Sequence, residues 1–402
     1  MVAPDIGGRI MAFNLDPYAY LWVNRNLSGQ LYSPVENQGN GSLSAWKNYG
    51  GSKTWPAPQG WDTEDQWHGP PDSILDTGRY TFEEMGSADG TVFIHMQSGK
   101  DSRTGVQIVR HLTLHPGCTH ATLHLEMVNI SEKPRRWGIW EVVQLDAARQ
   151  GPAGETHNDQ AGVYIPSNPV SVFQKGYRVM FGAQDNPEWK AEVSPSLIGV
   201  QYQYVVGKIE VDSTAGWVAF VNQVNDFAFI RCFSYHPGKT YPDGGATVEC
   251  WTTGLGESVS GLDYSNNPMY HVEAEVLGPL RVMQPGERQS FDIQWYAVRC
   301  PGPIIHVTPA GCCHQALRAR VVTGGLRLTG VYGVFYPGDI YLKWKNDAGE
   351  LLRMERVALA NPMVVLRIDL VQDVPEAAVA VELVVVDPGG APIGEIDSAS
   401  LP

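Results

Sequence analysis

The stretch GVQIVRHLTLHPGCTHATLHLEMVNIS, residues 105–131, decides the fold class. Apolar and polar residues alternate along both of its halves, which is the period of a β-strand whose two faces lie in different surroundings. Pro116 and Gly117 form a turn signal between the two runs. The stretch therefore predicts an antiparallel hairpin, with one strand before residue 116 and one after residue 117.

Histidines recur along the polar faces of this hairpin, at His111, His115, His120 and His124. A row of imidazoles suggests a metal site, but side chains on an exposed strand face are usually only solvated. The six cysteines show no CxxC or Cys/His metal spacing either. We therefore predict neither a metal site nor a cofactor.

Short alternating runs of the same kind recur along most of the chain, and the 3.6-residue helical period is almost absent. The composition changes at PGPIIHVTPAGCC, residues 301–313, which has the character of a linker that enters a new strand. We predict an all-β protein with a large antiparallel β-sandwich over residues 1–300. A small immunoglobulin-like accessory β-sandwich is predicted over residues 301–402.

The bulk composition excludes two classes of partner. A net charge of −14 over 402 residues argues against nucleic acid, which needs a basic surface. No apolar run approaches the roughly 20 residues that span a bilayer, so no membrane partner is expected.

The chain starts with the strand-like MVAPDIGGRI, which leaves export after removal of a signal peptide open. The oligomeric state is not specified by the sequence.

Residues 46–80, WKNYGGSKTWPAPQGWDTEDQWHGPPDSILDTGRY, form a long segment without helical or strand periodicity. Indole rings stack on the C–H faces of sugars, while fixed turns and a few polar groups orient the hydroxyls. The segment therefore predicts one wall of a carbohydrate site, with a lid that packs its own tryptophans as the alternative. Its predicted sugar-contacting residues are Trp46, Lys53, Trp55, Gln59 and Arg79.

Several segments together resemble the galactose mutarotase-like superfamily, in particular a little-characterised bacterial branch of it. The matching pieces are PDIGGRI, YGGSKTWPAPQ with HGPPD, the hairpin, IWEVVQL and HVEAEVLGPLRVMQPGERQSFDIQW, within residues 4–299. The resemblance implies a β-supersandwich that binds a sugar or polysaccharide on its concave face. It also adds Trp140, Gln144 and Trp251 to the expected sugar contacts.

The chemistry implied by this resemblance needs two opposed titratable groups. A carboxylate takes the proton of the anomeric hydroxyl, and a histidine protonates the ring oxygen. Glu249, Glu273 and Glu275 are the candidate bases, and Glu249 is favoured because it follows TYPDGG and precedes Trp251. IWEVVQL has no histidine at the position where the family has one. The candidate replacement acids are His68, Tyr235 and His236.

Three functions follow from these residues. The first is an aldose 1-epimerase-like isomerase. The second is a polysaccharide lyase that acts on a uronate-containing glycan, for which Lys53, Arg79, Tyr80, Tyr235 and His236 offer cationic and basic groups. The third is a carbohydrate-binding protein without catalytic activity. The acidic net charge argues against the second, and the missing histidine argues against the first.

Overall fold

A computed structural model describes residues 1–60, 66–152, 154–194, 196–256, 264–265 and 267–402. The chain forms two compact units. The first comprises Met1–Leu114, Ala121–Phe220 and Arg231–Gln294, and the second comprises His115–His120, Val221–Ile230 and Trp295–Pro402. A domain boundary at residue 300 stays a prediction, because the two units interleave along the chain.

Strands dominate the described part of the chain, so the predicted all-β class is confirmed. Up to residue 166 the strands are β1 (Val2–Ala3), β2 (Arg9–Ile10), β3 (Asn14–Leu15), β4 (Tyr18–Ala19), β5 (Ser52–Ala57), β6 (Thr81–Gly86), β7 (Val92–Gln97), β8 (Val106–Leu114), β9 (His120–Asn129), β10 (Arg135–Asp146), β11 (Ala148–Gly151), β12 (Gly154–His157) and β13 (Ala161–Pro166). Between residues 178 and 299 they are β14 (Arg178–Phe181), β15 (Trp189–Ser194), β16 (Leu197–Gln201), β17 (Gly207–Val211), β18 (Trp217–Asn222), β19 (Phe227–Phe233), β20 (Val248–Thr252), β21 (His271–Leu277), β22 (Arg281–Met283) and β23 (Arg288–Arg299).

Within the described residues, helical structure is confined to short pieces before β5. One α-helix, α1, covers Pro34–Gln38, and 3-10 turns cover Arg25–Leu27 and Leu43–Ala45. A complete capping box begins α1, because Ser33 and Glu36 bond each other's backbone N–H groups. No helix in the described ranges is long and apolar enough to cross a membrane.

The predicted hairpin is confirmed. β8 and β9 pair antiparallel with Leu112 opposite Leu123, and Arg110 opposite Leu125. They belong to a ten-stranded sheet with the order β15-β16-β13-β18-β19-β23-β9-β8-β7-β6. A nine-stranded sheet has the order β1-β2-β5-β10-β21-β20-β17-β14, and β22 pairs with the start of β10.

The two large sheets share a buried polar network. Arg110 of β8 donates to the Ser52 hydroxyl of β5 at 2.7 Å, and that hydroxyl donates to Glu141 of β10 at 2.8 Å. Arg231 of β19 forms an ion pair with Glu141 at 2.5 Å. These groups are almost inaccessible to solvent, and only mutual pairing makes their burial tolerable. They hold one face of the nine-stranded sheet against the ten-stranded sheet, so the opposite face is left for the site.

The C-terminal part of the chain forms a small sandwich, as predicted. Two four-stranded sheets have the orders β24-β25-β26-β29 and β28-β27-β30-β31. Apolar residues from both sheets, among them Leu328, Trp344 and Leu383, form one buried core. Its strands are β24 (His306–Thr308), β25 (Gly311–Val322), β26 (Gly325–Val334), β27 (Gly338–Lys345), β28 (Leu351–Ala360), β29 (Leu366–Gln372), β30 (Ala380–Val386) and β31 (Pro392–Ser400).

Candidate functional site

Strand register sorts the chemistry-bearing side chains of the nine-stranded sheet into two rows on one face. Side chains at cross-strand partner positions lie side by side, and positions two apart on a strand share a face. The first row, read across the sheet, contains Arg178, Glu210, Glu249, Glu275, Val142 and Lys53. The second row contains Lys208, Trp251, Glu273 and Gln144.

A cavity of about 330 Å³ opens on this face. Its volume lies in the range of small-ligand pockets. Its aromatic lining residues are Trp46, Trp55, Trp140, Trp251 and Tyr264. Its polar lining residues are Ser44, Asn48, Gln59, Gln144, Lys208, Thr253, Asn267, His271 and Glu273.

Two tryptophans of residues 46–80, Trp46 and Trp55, are held in place by one buried carboxylate. The indole N–H of Trp46 donates to Asp76 Oδ2 at 2.6 Å, and that of Trp55 donates to Asp76 Oδ1 at 3.2 Å. Arg9, itself fully buried, pairs with the same carboxylate at 2.5 Å. The segment also contributes Gln59 to the cavity, so it forms a wall of the cavity. Trp61 lies outside the described residues.

Glu273 is the carboxylate that lines the cavity. Its Oε1 accepts a hydrogen bond from Gln144 Nε2 at 2.6 Å and lies 3.3 Å from the ammonium of the buried Lys53. Burial alone would raise the pKa of Glu273, but Lys53, other nearby positive charge and the Gln144 amide hold it below its ordinary value. Glu273 is therefore an ionised carboxylate at neutral pH.

His271 lies two residues before Glu273 on β21 and lines the same cavity. Its ring stacks on Trp22 with centroids 4.2 Å apart, and its Nε2 accepts from Gln144 Nε2 at 3.2 Å. Burial lowers the pKa of His271 to about 3, so the imidazole is neutral. Among the described residues its Nδ1 has no hydrogen-bond partner. It is a buried donor whose hydrogen-bonding capacity these residues leave unused.

Lys208 supplies positive charge on the other side of Trp251. Its ammonium lies 2.6 Å from Glu249 and 3.0 Å from Glu275, and 4.5 Å from the centre of the Trp140 ring. A cation over an indole face is attracted by the ring quadrupole. The ammonium is therefore fixed in position beside the aromatic wall.

The favoured base, Glu249, does not line the cavity. It is 1% exposed and lies behind Lys208. Seven of the predicted site residues line the cavity: Trp46, Trp55, Gln59, Trp140, Gln144, Trp251 and Glu273. Lys53 does not line it but pairs with Glu273, which does.

The other candidates lie elsewhere. His68 is exposed and lines a separate cavity with Arg103. Tyr235 stacks on Tyr241 beside a third cavity, and the neighbouring His236 is exposed. Arg79 is an exposed partner of Asp5. The groups assembled for the uronate lyase therefore do not converge on one site.

His271 and Lys208 are among the cavity residues that were absent from the predicted set. The alternation of HVEAEV puts His271 on the same face as Glu273, so this histidine could have been found from the strand pattern. Lys208 could not have been found in that way, because GKIEV enters the site only through its register with β20.

The assembled groups can hold a small polyhydroxylated ring. The indole rings offer flat apolar surface, and amide, imidazole and ammonium groups offer hydrogen-bond donors. The ionised Glu273 can accept a proton from a hydroxyl. A base and a nitrogen donor in one cavity are the minimum for moving a proton between two oxygens of a bound ligand.

No protein-family model matches the chain, and no curated protein sequence does. Solved structures are similar to it. A putative aldose 1-epimerase from Klebsiella pneumoniae matches 74% of this chain and 75% of its own, with 14% identity and a TM-score of 0.46. A galactose mutarotase-like protein from Lactobacillus casei matches 74% and 95%, with 11% identity and a TM-score of 0.44.

A TPR-domain containing protein from Parabacteroides distasonis is also similar, with 12% identity and a TM-score of 0.46 over 81% of this chain. This chain spans about half of that protein, 49% of its length. The galactose mutarotase-like proteins, which the sequence motifs resemble, are thus among the solved structures to which the chain is similar. Identities this low leave the activity to be argued from the site itself.

Proposed function

We propose that this protein binds a sugar in the tryptophan-walled cavity and acts on it as an aldose 1-epimerase-like isomerase. The observation that carries the proposal is the ionised Glu273, which lies among aromatic rings and is oriented by Gln144 and Lys53. A carboxylate held in this way is a base positioned to accept a hydroxyl proton.

In this proposal Glu273 takes the proton of the anomeric hydroxyl while the ring oxygen receives one from Lys208. The C1–O5 bond breaks, the C1–C2 bond rotates, and the reverse transfers close the ring on the other face. Lys208 is assigned as the donor because it carries a proton at neutral pH, whereas His271 is neutral. Both groups line the cavity, and the Lys208 ammonium reaches across β20 to Glu275, which lies two residues from Glu273 on β21.

The test is anomer-resolved NMR exchange measured on a panel of aldoses. The wild-type protein is expected to accelerate exchange of at least one aldose, and Glu273→Gln to reduce that acceleration by about 100-fold or more. Arg79→Gln, which changes an exposed charge away from the cavity, is the control and should behave as wild type. Absence of acceleration by the wild-type protein would exclude the isomerase.

One observation favours a second candidate, a carbohydrate-binding protein without turnover. The cavity histidine is held neutral, and the acid that the resemblance leads us to expect is therefore missing. Isothermal titration with the same aldoses separates the two candidates. Binding that Trp251→Ala weakens, without accelerated exchange, supports this candidate, while absence of binding and exchange excludes both.

A further inference from the structure

Three carboxylates meet beside the cavity, in a place that the proposed reaction does not use. Glu210 of β17 and Glu249 of β20 are cross-strand partners, and Asp243 comes from the loop that precedes β20. One oxygen from each of the three side chains lies within 4.8 Å of the other two. Glu210 and Glu249 are buried, and Asp243 is half-buried.

Each of the two glutamates uses only one of its oxygens. Arg178 donates to Glu210 Oε2 at 2.5 Å, and the Lys208 ammonium lies 2.6 Å from Glu249 Oε2. In the described part of the chain, Oε1 of Glu210 and Oε1 of Glu249 have no hydrogen-bond partner. Burying a carboxylate oxygen that accepts no hydrogen bond costs free energy, and such an oxygen is the kind of atom that a cation binds.

Four carboxyl groups, those of Glu210, Asp243, Glu249 and Glu275, face the two cations Arg178 and Lys208. Burial raises the pKa of all four, to about 6 for Asp243, about 7 for Glu249 and about 8 for Glu275, so protons reduce the negative charge of the cluster near neutral pH. A divalent cation that binds here would displace these protons.

We propose that Glu210, Asp243 and Glu249 bind a divalent cation of the calcium class. All the donor atoms are carboxylate oxygens, which hard cations prefer. Calcium–oxygen distances of about 2.3–2.6 Å place opposite ligands roughly 5 Å apart, so the present separation accommodates calcium. Asp243 and Glu210 do not line the sugar cavity, whereas Glu249 pairs with Lys208, the proposed proton donor, so the cation site is tested by ion binding and not by sugar turnover.

The test is isothermal titration of the full chain, treated with a chelator, with CaCl₂, MgCl₂ and MnCl₂ near neutral pH. We expect one calcium ion per chain, with binding weakened at least tenfold by Asp243→Asn and by Glu210→Gln. Glu84→Gln, on the exposed strand β6, is the matched control and should bind as wild type. Calcium should also raise the melting temperature of the wild-type protein and of the control, but not that of Asp243→Asn.

Two results would overturn the proposal. One is the absence of heat and of a melting shift with the wild-type protein up to about 5 mM of each ion, which exceeds the dissociation constants of weak calcium modules. That outcome would mean that protons hold the carboxylates together. The other is equal calcium binding by wild type, Asp243→Asn and Glu210→Gln, which would place the bound ion elsewhere. Circular dichroism of each variant establishes that it is folded.

Discussion

At the scale of single residues, the site depends on a lysine buried beneath it. Lys53 is 1% exposed, and burial lowers its pKa, while its ammonium in turn keeps Glu273 ionised. Indole rings flank the ammonium, with the Trp55 centroid at 4.9 Å and the Trp46 centroid at 5.6 Å. A single cation therefore stabilises the negative charge of the base and contacts the aromatic wall at the same time.

Replacing this lysine should change the pH dependence of any reaction that uses Glu273. Because Lys53 holds the pKa of Glu273 below its ordinary value, Lys53→Met should raise that pKa, and the base should be lost at a higher pH as the solution is acidified. The measurement is the exchange rate of a turned-over aldose from pH 3.5 to 8. The acid limb of the pH–rate profile should move to higher pH in Lys53→Met. It should stay in place in Lys100→Met, a control at an exposed lysine. Coincident acid limbs would show that Lys53 does not tune Glu273.

Much of the site could be predicted at this scale, and the rest shows what the sequence lacks. The tryptophans of a non-periodic segment were sufficient to select Trp55, and the resemblance to the galactose mutarotase-like superfamily supplied Trp140 and Gln144. The choice between Glu249 and Glu273 required knowing how deeply each side chain is buried, because both lie on the same face of the sheet. Lys208 covers Glu249 and leaves Glu273 in contact with the cavity. Such covering is a property of the packed structure.

At the scale of secondary-structure elements, β10 organises the nine-stranded sheet. It pairs with β5 on one side and β21 on the other. Side chains of IWEVVQL alternate between the two faces of the sheet, since Trp140 and Gln144 face the cavity and Glu141 faces the second sheet. One strand therefore carries the aromatic wall on one face and the anchor to the ten-stranded sheet on the other.

The anchor can be tested through Glu141. Glu141→Gln removes the charge that compensates Arg231 and supports the Ser52 hydroxyl, so a buried cation loses its partner. We expect the free energy of unfolding to fall by about 3 kcal/mol, as is typical when one partner of a buried ion pair is removed. Urea denaturation followed by far-UV circular dichroism measures the change, with Glu84→Gln as the exposed control. A loss under about 0.5 kcal/mol, the range of surface substitutions, would contradict the anchor.

At the scale of the whole molecule, stability should decrease between mildly acidic and neutral pH because of Glu188. This glutamate is fully buried, and burial raises its pKa to about 7. The N–H groups of Gln203 and Val205 donate to its Oε1, while Oε2 has no partner among the described residues. The folded protein therefore holds a proton on Glu188 that the unfolded chain releases at a lower pH.

The sign of the effect follows from linkage. A carboxyl whose pKa is higher in the folded state stabilises the protein below its unfolded pKa, and this contribution is lost as the pH rises through about 7. Glu188→Gln, which is always neutral, should gain on the order of 3 kcal/mol over wild type between pH 4.5 and pH 8. Denaturation midpoints at several pH values measure the difference. Parallel pH profiles for the two proteins would contradict the assignment.

The fold class could be predicted over the whole chain because strand alternation is a local signal that each segment carries by itself. Sheet order could not, since β5, β10 and β21 are far apart in sequence and become neighbours only through long-range pairing. Which segments of the chain belong to each of the two units could not be predicted either. Residues 115–120 and 221–230 belong to the second unit, although no change in composition marks them.

The two rows of side chains also constrain how the chain can change in length. β20 contributes Glu249 to one row and Trp251 to the other, and both lie on the cavity face. Deleting one residue near the start of this short strand would shift the register by one and turn both side chains towards the opposite face. Glu249 would then lose Lys208, and the cavity would lose an indole. Single-residue insertions and deletions should therefore be rejected within β20.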